Sequence, residues 1–548
     1  MTQATDQPNM MDYEAERRNF RLTAPDDFNW AYDVTDRWAA DPNQLAMLWV
    51  SPQGQERRLT FTDFQHRSNQ VANALAQMGV QRGDRVFLML PRLVEWWETI
   101  LGIMKIGAVS MPGTTLLTPK DIVYRANLAE AKVVITDAAN APKFDEVRAQ
   151  CPSLQLYIVV GAERTNWVTY ETALAAASAV RERLATPSSD PCMIYFTSGT
   201  VGYPKMVLHT HASYPIGHII TGKYWLDLHP SDLHWNMSET GWAKAAWSNL
   251  FGPWNMGAAL FMYDGRGKFN AKETLEFLQK YPITTFCAPP TIYRMLVLED
   301  LKAYRFPALR HCTGAGEPLN PEVIETWQAA TGMTIRDGYG QTETVLLCGN
   351  FPPLPVKPGS MGKPSPGFDV AVVDDTGQIL PPNKEGDIAV RVKPHRPLAL
   401  FQEYWRNPQA TANAMRGDWY ITGDRAYMDE DGYFWFVGRA DDVILSAGYR
   451  IGPFEVESAL IEHPAVAEAA VVASPEAVRG EIVKAFVILV PGYEPSDALA
   501  TEIQEHVKQT TAPYKYPREI EFVKELPKTI SGKIRRVELR ERERQRKA

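Results

Sequence analysis

The run DRVFLML at residues 84–90, followed at once by PRLVEWWETILGIMKIG at 91–107, decides the fold class. A short, nearly continuous apolar run reads as a strand buried on both faces. The longer segment predicts a helix, with Pro91 near its first turn and Gly107 at its end. AKVVITDA (131–138), LQLYIVVG (154–161) and CMIYF (192–196) repeat the strand signal, with helical stretches between some of them. KETLEFLQKY (272–281), TTFCAPP (284–290) and TIYRMLVLED (291–300) continue the alternation. Strands alternating with helices imply an α/β fold with mainly parallel, covered sheets.

The texture changes near Pro352. FPPLPVKPGSMGKPSPGFDV (351–370) is rich in proline and glycine, DVAVVDDTGQILPP (369–382) reads as a hairpin, and GYFWFVGR (432–439) reads as a strand. These predict a β-rich subdomain. Beyond Asp442 the segments VESALIEH, AVAEAAVVAS, KAFVILV and TEIQEHVKQ suggest a small α+β domain. The expected division is an N-terminal domain at 1–438, a hinge at 439–441 and a mobile C-terminal domain at 442–548. A chain of 548 residues exceeds the roughly 250–300 at which a single core stops growing. The terminal run RRVELRERERQRKA reads as a solvated helix or a frayed end.

The net charge of -8 argues against nucleic acid as the main partner, because phosphate backbones reward clustered Lys and Arg. A single nucleotide needs only a local cationic pocket. Five scattered cysteines, none in CxxC spacing, indicate neither a zinc site nor a disulfide framework. No apolar run approaches the roughly 20 residues that span a bilayer. The N-terminal segment lacks the apolar stretch of a secretory signal, and Asp6, Asp12, Glu14 and Glu16 suit a transit peptide poorly. The expected location is therefore cytoplasmic.

One turn is unusually rich in polar and flexible residues: YFTSGTVGYPK, 195–205. Thr197, Ser198 and Thr200 offer hydroxyls, Gly199 and Gly202 let backbone amides turn inward, and Lys205 supplies a cation. Together they suit a polyphosphate. The spacing is not that of a Walker A loop, which disfavours a P-loop kinase. Pro204 and the apolar run Met206–Leu208 predict strand, loop, strand, so no helix dipole contributes. Alone, such a loop reads as an ordinary surface turn. Further along stand GAGEP (314–318), IRDGYGQTET (335–344), YITGD (420–424), GRADDVILSAGYRIGP (438–453) and LPKTISGKIRR (526–536), and their order is hard to attribute to chance.

In that order the chain resembles the acyl-adenylate-forming superfamily of acyl-CoA synthetases, peptide-synthetase adenylation domains and firefly luciferase. The resemblance runs from about Phe28 to Arg540. YGQTET, ILSAGYRIGPFEVESALIEHPAV, VRGEIVKAFV and TAPYKYPREIEFV resemble the medium-chain acyl-CoA synthetases. The resemblance implies ATP, Mg²⁺ and coenzyme A as cofactors and co-substrates, and a small carboxylic acid as partner. The acid attacks the α-phosphate of ATP, and the thiol of CoA then displaces AMP. Carrier-protein loading and a non-catalytic nucleotide sensor are the alternative readings, and intact Lys205, Glu343 and Lys533 weigh against the sensor.

The resemblance also implies residue roles. Lys205 and the loop hydroxyls hold the β and γ phosphates, Thr342 contacts the α-phosphate and Glu343 ligates the metal. Gly314, Ala315, Gly316 and Glu317, with Asp337, Gly338 and Tyr339, line the adenine, and Gly340 and Gln341 continue that wall. Asp424 accepts the ribose hydroxyls beside Arg439. Lys533 bridges the reacting carboxylate and the α-phosphate. Asp441 is the hinge, and rotation there carries Ala447, Gly448, Tyr449 and Arg450 to the active site for CoA, with Arg479 as a further phosphate contact. Acetate-activating relatives carry tryptophan where this chain has Gly340, so open space for a longer or bulkier acid is expected there. Trp242 matches a gating tryptophan of the acyl tunnel, with core packing as its ordinary alternative.

Overall fold

The computed structural model describes residues 7–197, 204–446, 449–476, 479–528 and 533–547. The opening reading holds. Arg85–Met89 is a strand with four buried residues, and Val94–Lys105 is a helix buried along nearly its whole length. The helix ends where Gly107 takes φ +69°, and Ala108 N donates back to Ile103 O at 3.1 Å. Gly102 is needed for packing. A Cβ there would lie 2.6 Å from Val71 Cβ on the facing helix Phe61–Gln77.

Two large sheets carry the N-terminal part. In the first, Lys205–Thr210, Pro191–Thr197, Val109–Pro112, Arg85–Met89, Val133–Asp137 and Leu156–Val160 lie side by side. They are parallel except for the hairpin between Pro191–Thr197 and Lys205–Thr210. In the second, Ile335–Gly340, His311–Ala315, Thr285–Ala288, Leu233–Asn236, Ala259–Tyr263 and Leu45–Val50 run parallel. Trp30, Trp96, Trp97, Trp225 and Trp254 fill the core with no exposed area.

The β-rich subdomain is an antiparallel sheet built on the long strand Trp419–Met428, which pairs with Gly386–Arg391 and Phe434–Arg439. The C-terminal part is a separate sheet around Gly480–Leu489 and Val466–Glu476, covered by helices Pro453–Ile461 and Asp497–Thr510. The α/β class, the β-rich subdomain and the small α+β domain are thus all present. The basic-acidic tail departs from its reading as a solvated element. It forms the helix Arg536–Lys547, with Leu539 and Glu543 buried against the C-terminal sheet. Glu543 accepts from Lys484 Nζ at 2.7 Å and from Ser474 Oγ at 2.8 Å.

Candidate active site

Thr197 and Lys205 face each other across the open end of the predicted hairpin. The hydroxyls and glycines between them, Ser198, Gly199, Thr200 and Gly202, lie outside the described residues. The Lys205 ammonium sits 4.7 Å from the centroid of the Tyr404 ring. Tyr404 comes from a two-residue strand that pairs antiparallel with Lys205–Thr210.

The turn after strand Ile335–Gly340 carries Thr342 and Glu343. His209 secures it. Burial pushes this imidazole down to about 3, so it is neutral, and its Nε2–H donates to Thr342 O at 2.7 Å. Glu343 is buried, which raises its pKa, while the Tyr404 hydroxyl donates to its Oε1 at 2.8 Å and favours the charged form. Phe401 N also donates to Glu343 O at 2.7 Å. Lys205, Thr342 and Glu343 are therefore gathered by three chain segments far apart in sequence.

A second carboxylate is placed by strand pairing. Asp424 stands opposite Arg439, and its Oδ1 lies 3.5 Å from Arg439 Nε. Its Oδ2 accepts from Tyr339 Oη and from Gln341 Nε2, both at 2.7 Å. Asp337 is buried on the same strand as Tyr339, and Gly338 N donates to its Oδ1 at 2.9 Å. Burial pushes its carboxyl up to about 8 despite that bond. Gly316 has φ +118°, which a side chain would strain. Burial raises Glu317, but Arg294, 3.0 Å away, and Thr291 outweigh it, so its carboxyl is held below the usual range.

Lys533 comes from the other end of the chain and stands within electrostatic reach of Glu317, Asp424 and Arg439. It keeps contact with water, yet protein crowds it closely. Desolvation lowers its pKa while Glu317 and Asp424 pull it up. Asp441 lies 3.9 Å from Arg439 at the junction of the two parts. Tyr449 is exposed and stacks on Tyr514 at 4.3 Å, and Arg479 is exposed. Among the described residues, no hydrogen bond, ion pair or ring contact joins either to Lys205, Glu343 or Asp424. Ala447 and Gly448, and the side chain of Arg450, lie outside the described residues.

One expectation about the acid pocket is corrected. The space beside Gly340 is filled, not open: a Cβ there would meet the carbonyl of Val345 and lie 2.5 Å from Trp247 Cη2. The indole of Trp247 is fixed by its N–H, which donates to Tyr214 Oη at 2.7 Å. The sequence carries both residues but not their meeting, because Trp247 lies on a helical segment 93 positions before Gly340. Trp242 is half-buried at the start of helix Ala243–Ala246. Lys244 also escaped the motif reading. Its Nζ donates to Ala315 O at 2.6 Å, and burial lowers its pKa. The only hint was a lysine amid the tryptophans of GWAKAAW.

A lysine and a buried carboxylate gathered on one tyrosine, a second carboxylate paired with an arginine, and a lysine from the C-terminal part of the chain suit a nucleotide-dependent acid–thiol ligase. The model of the AMP-binding enzyme matches residues 34–405, and that of the AMP-binding enzyme C-terminal domain matches 455–533. The chain belongs to the AMP-binding enzyme family. It is 52% identical over 545 residues to acyl-coenzyme A synthetase ACSM3, mitochondrial, of Homo sapiens, covering 98% of this chain and 93% of that one. Among solved structures, the anthranilate CoA ligase AuaEII in complex with anthranoyl-AMP aligns with TM-score 0.88 at 33% identity, over 96% of this chain and 99% of that one. The Brucella canis acyl-CoA synthetase aligns with TM-score 0.76 at 36% identity, over 98% and 100%.

The class is thus that of acyl-CoA synthetases, which use ATP and CoA. The cytoplasmic location expected from the sequence is corrected: ACSM3 and ACSM4 relatives at about 50% identity are named mitochondrial. The acidic N-terminal residues describe one segment's composition, and composition alone does not fix location. No helix among the described residues is long and apolar enough to cross a membrane.

Proposed function

We propose that this protein is an AMP-forming acyl-CoA synthetase for medium-chain, branched or aromatic monocarboxylic acids. The observation that carries the reading is Lys533, which stands within electrostatic reach of Glu317, Asp424 and Arg439 although it belongs to the C-terminal part of the chain. Joining a carboxylate to a triphosphate brings anions together, so the chemistry is mostly positioning and charge neutralisation. Lys205 and the 197–202 turn take the β and γ phosphates, and Thr342 takes the α-phosphate. Asp424 binds the ribose through the oxygen facing Arg439. The segments 314–317 and 337–341 hold the adenine. Lys533 offsets the charge that builds between acid and α-phosphate.

Magnesium fits this cleft on the chemistry of its donors. Among the described residues no group of three or more His, Cys, Asp or Glu is placed to hold a metal, but Glu343 presents one buried carboxylate braced by Tyr404. Mg²⁺ binds through one or two carboxylates plus substrate phosphates. Glu343 would hold it, and it would neutralise phosphate charge. For the thioester step, rotation about Asp441 withdraws Lys533 and brings 447–450 to the cleft, a lid-type gating step. Arg479 then meets a phosphate of CoA.

Trp242 gates the acyl tunnel, and Trp247, packed against Gly340, forms its floor. A panel of straight-chain, branched and aromatic acids, assayed for CoA-dependent AMP formation, tests the reading. Trp247→Ala is expected to raise kcat/KM for decanoate relative to butyrate by about tenfold, since each methylene in an apolar pocket is worth about 1–3 kcal/mol. No AMP formation with any acid would overturn the activity. An unchanged decanoate-to-butyrate ratio would remove Trp247 from the pocket.

A further inference from the structure

Tyr404 belongs to none of the motifs, yet the two halves of the phosphate side meet on it. Its strand, Glu403–Tyr404, is held to Lys205–Thr210 with Tyr404 opposite Val207. That pairing sets the ring under the Lys205 ammonium at 4.7 Å. The same side chain reaches the turn after strand Ile335–Gly340, where its hydroxyl donates to Glu343 Oε1 at 2.8 Å. The ring is buried and braced by Phe401, with centroids 4.9 Å apart. A second buried phenol, Tyr420, packs on the same Phe401 ring, with centroids 5.4 Å apart, and donates to Gln341 Oε1 at 3.1 Å. Gln341 Nε2 then donates to Asp424 Oδ2 at 2.7 Å. One chain of contacts therefore runs from the phosphate cation to the ribose carboxylate, and Tyr404 is its branch point.

Resting on the adenylating reading above, we propose that Tyr404 is a positioning residue for the first half-reaction. Its hydroxyl aims the Glu343 carboxylate, and its ring keeps the Lys205 ammonium at the mouth of the phosphate turn. Neither act requires Tyr404 to touch the substrate. A carboxylate with one oxygen fixed by a phenol presents the other in a single direction, which suits an ion that demands regular coordination geometry. A lysine already ordered over a ring loses less conformational freedom when phosphate arrives. Charge-assisted hydrogen bonds to phosphate are stronger than the ring contact, so the ammonium transfers to the ligand.

The two acts separate by substitution. Tyr404→Phe keeps the ring and its packing but removes the hydroxyl. Tyr404→Leu removes both. The full-length protein is titrated by calorimetry with a non-hydrolysable ATP analogue, without acid, with and without Mg²⁺. Pyrophosphate release with acid and ATP is measured in parallel. Tyr404→Phe is expected to bind the analogue without metal as wild type does, and to lose about tenfold of the added affinity that Mg²⁺ confers, the scale of one hydrogen bond to a charged group. Tyr404→Leu is expected to lose about threefold in metal-free affinity as well, the scale of an exposed cation–π contact.

A purely structural phenol predicts that Tyr404→Phe leaves the Mg²⁺ increment unchanged, or weakens binding equally with and without metal. Either result overturns the positioning of Glu343. Unchanged metal-free binding by Tyr404→Leu overturns the role towards Lys205. Absence of pyrophosphate release by wild type defeats the adenylating reading instead, so the two failures are distinct.

Discussion

Asp337 shows what burial does to one residue in this cleft. Its carboxyl is held near 8, against 3.8 for the ordinary group, because desolvation outweighs the amide bonds from Gly338 and Leu319. A carboxyl whose folded pKa is raised contributes its full stability below the unfolded pKa. That contribution is lost as pH rises from about 3.8 through about 8. Tyrosines and lysines titrate elsewhere in the chain, so the useful quantity is a difference. Asp337→Asn cannot ionise, and its stability relative to wild type is expected to improve steadily between pH 4 and pH 9, read from urea midpoints. A difference that stays constant with pH would contradict a neutral Asp337. The sequence announced this residue only as part of IRDGYGQTET. Its chemistry was not legible, because the low dielectric around it comes from neighbouring strands, not from adjacent residues.

At the scale of elements, the sequence was most legible where one segment carries its own signal. Residues 84–107 gave a strand and a buried helix because their apolar periodicity, proline and glycine all agree. The strands Pro191–Thr197 and Lys205–Thr210 on either side of the polar turn were readable for the same reason. The strand Glu403–Tyr404 was not: two residues have no period, and pairing with Lys205–Thr210 alone makes them a strand. The tail helix was half legible. Its charges dominate the pattern, while the burial of Glu543 depends on Lys484 and Ser474, and that of Leu539 on Ala470, Val472 and Phe486, all on distant strands. Close packing of helices was equally hidden. Because a side chain on Gly102 would run into Val71, Gly102→Leu is expected to cost about 1–3 kcal/mol through overpacking. A wild-type thermal midpoint for that variant would show that the helices Phe61–Gln77 and Val94–Lys105 have slack.

At the scale of the whole molecule, the cleft is shared. Lys205, Glu343 and Asp424 belong to the larger part of the chain, and Lys533 arrives from the C-terminal part, just before helix Arg536–Lys547. A polar contact crosses the junction: Asn320 Nδ2 donates to Ser458 Oγ at 3.3 Å. Such interfaces suit relative movement better than an apolar one does. If Lys533 acts only while acid and α-phosphate react, its removal must separate the two half-reactions. The most direct measurement is therefore Lys533→Ala, assayed once for acid- and ATP-dependent pyrophosphate release and once for conversion of supplied acyl-AMP and CoA to thioester. The expected result is loss of the first by at least about a hundredfold, the scale of a preorganised charge in a water-poor site, with the second within about threefold of wild type. Equal loss of both half-reactions, or full retention of the first, would contradict the account.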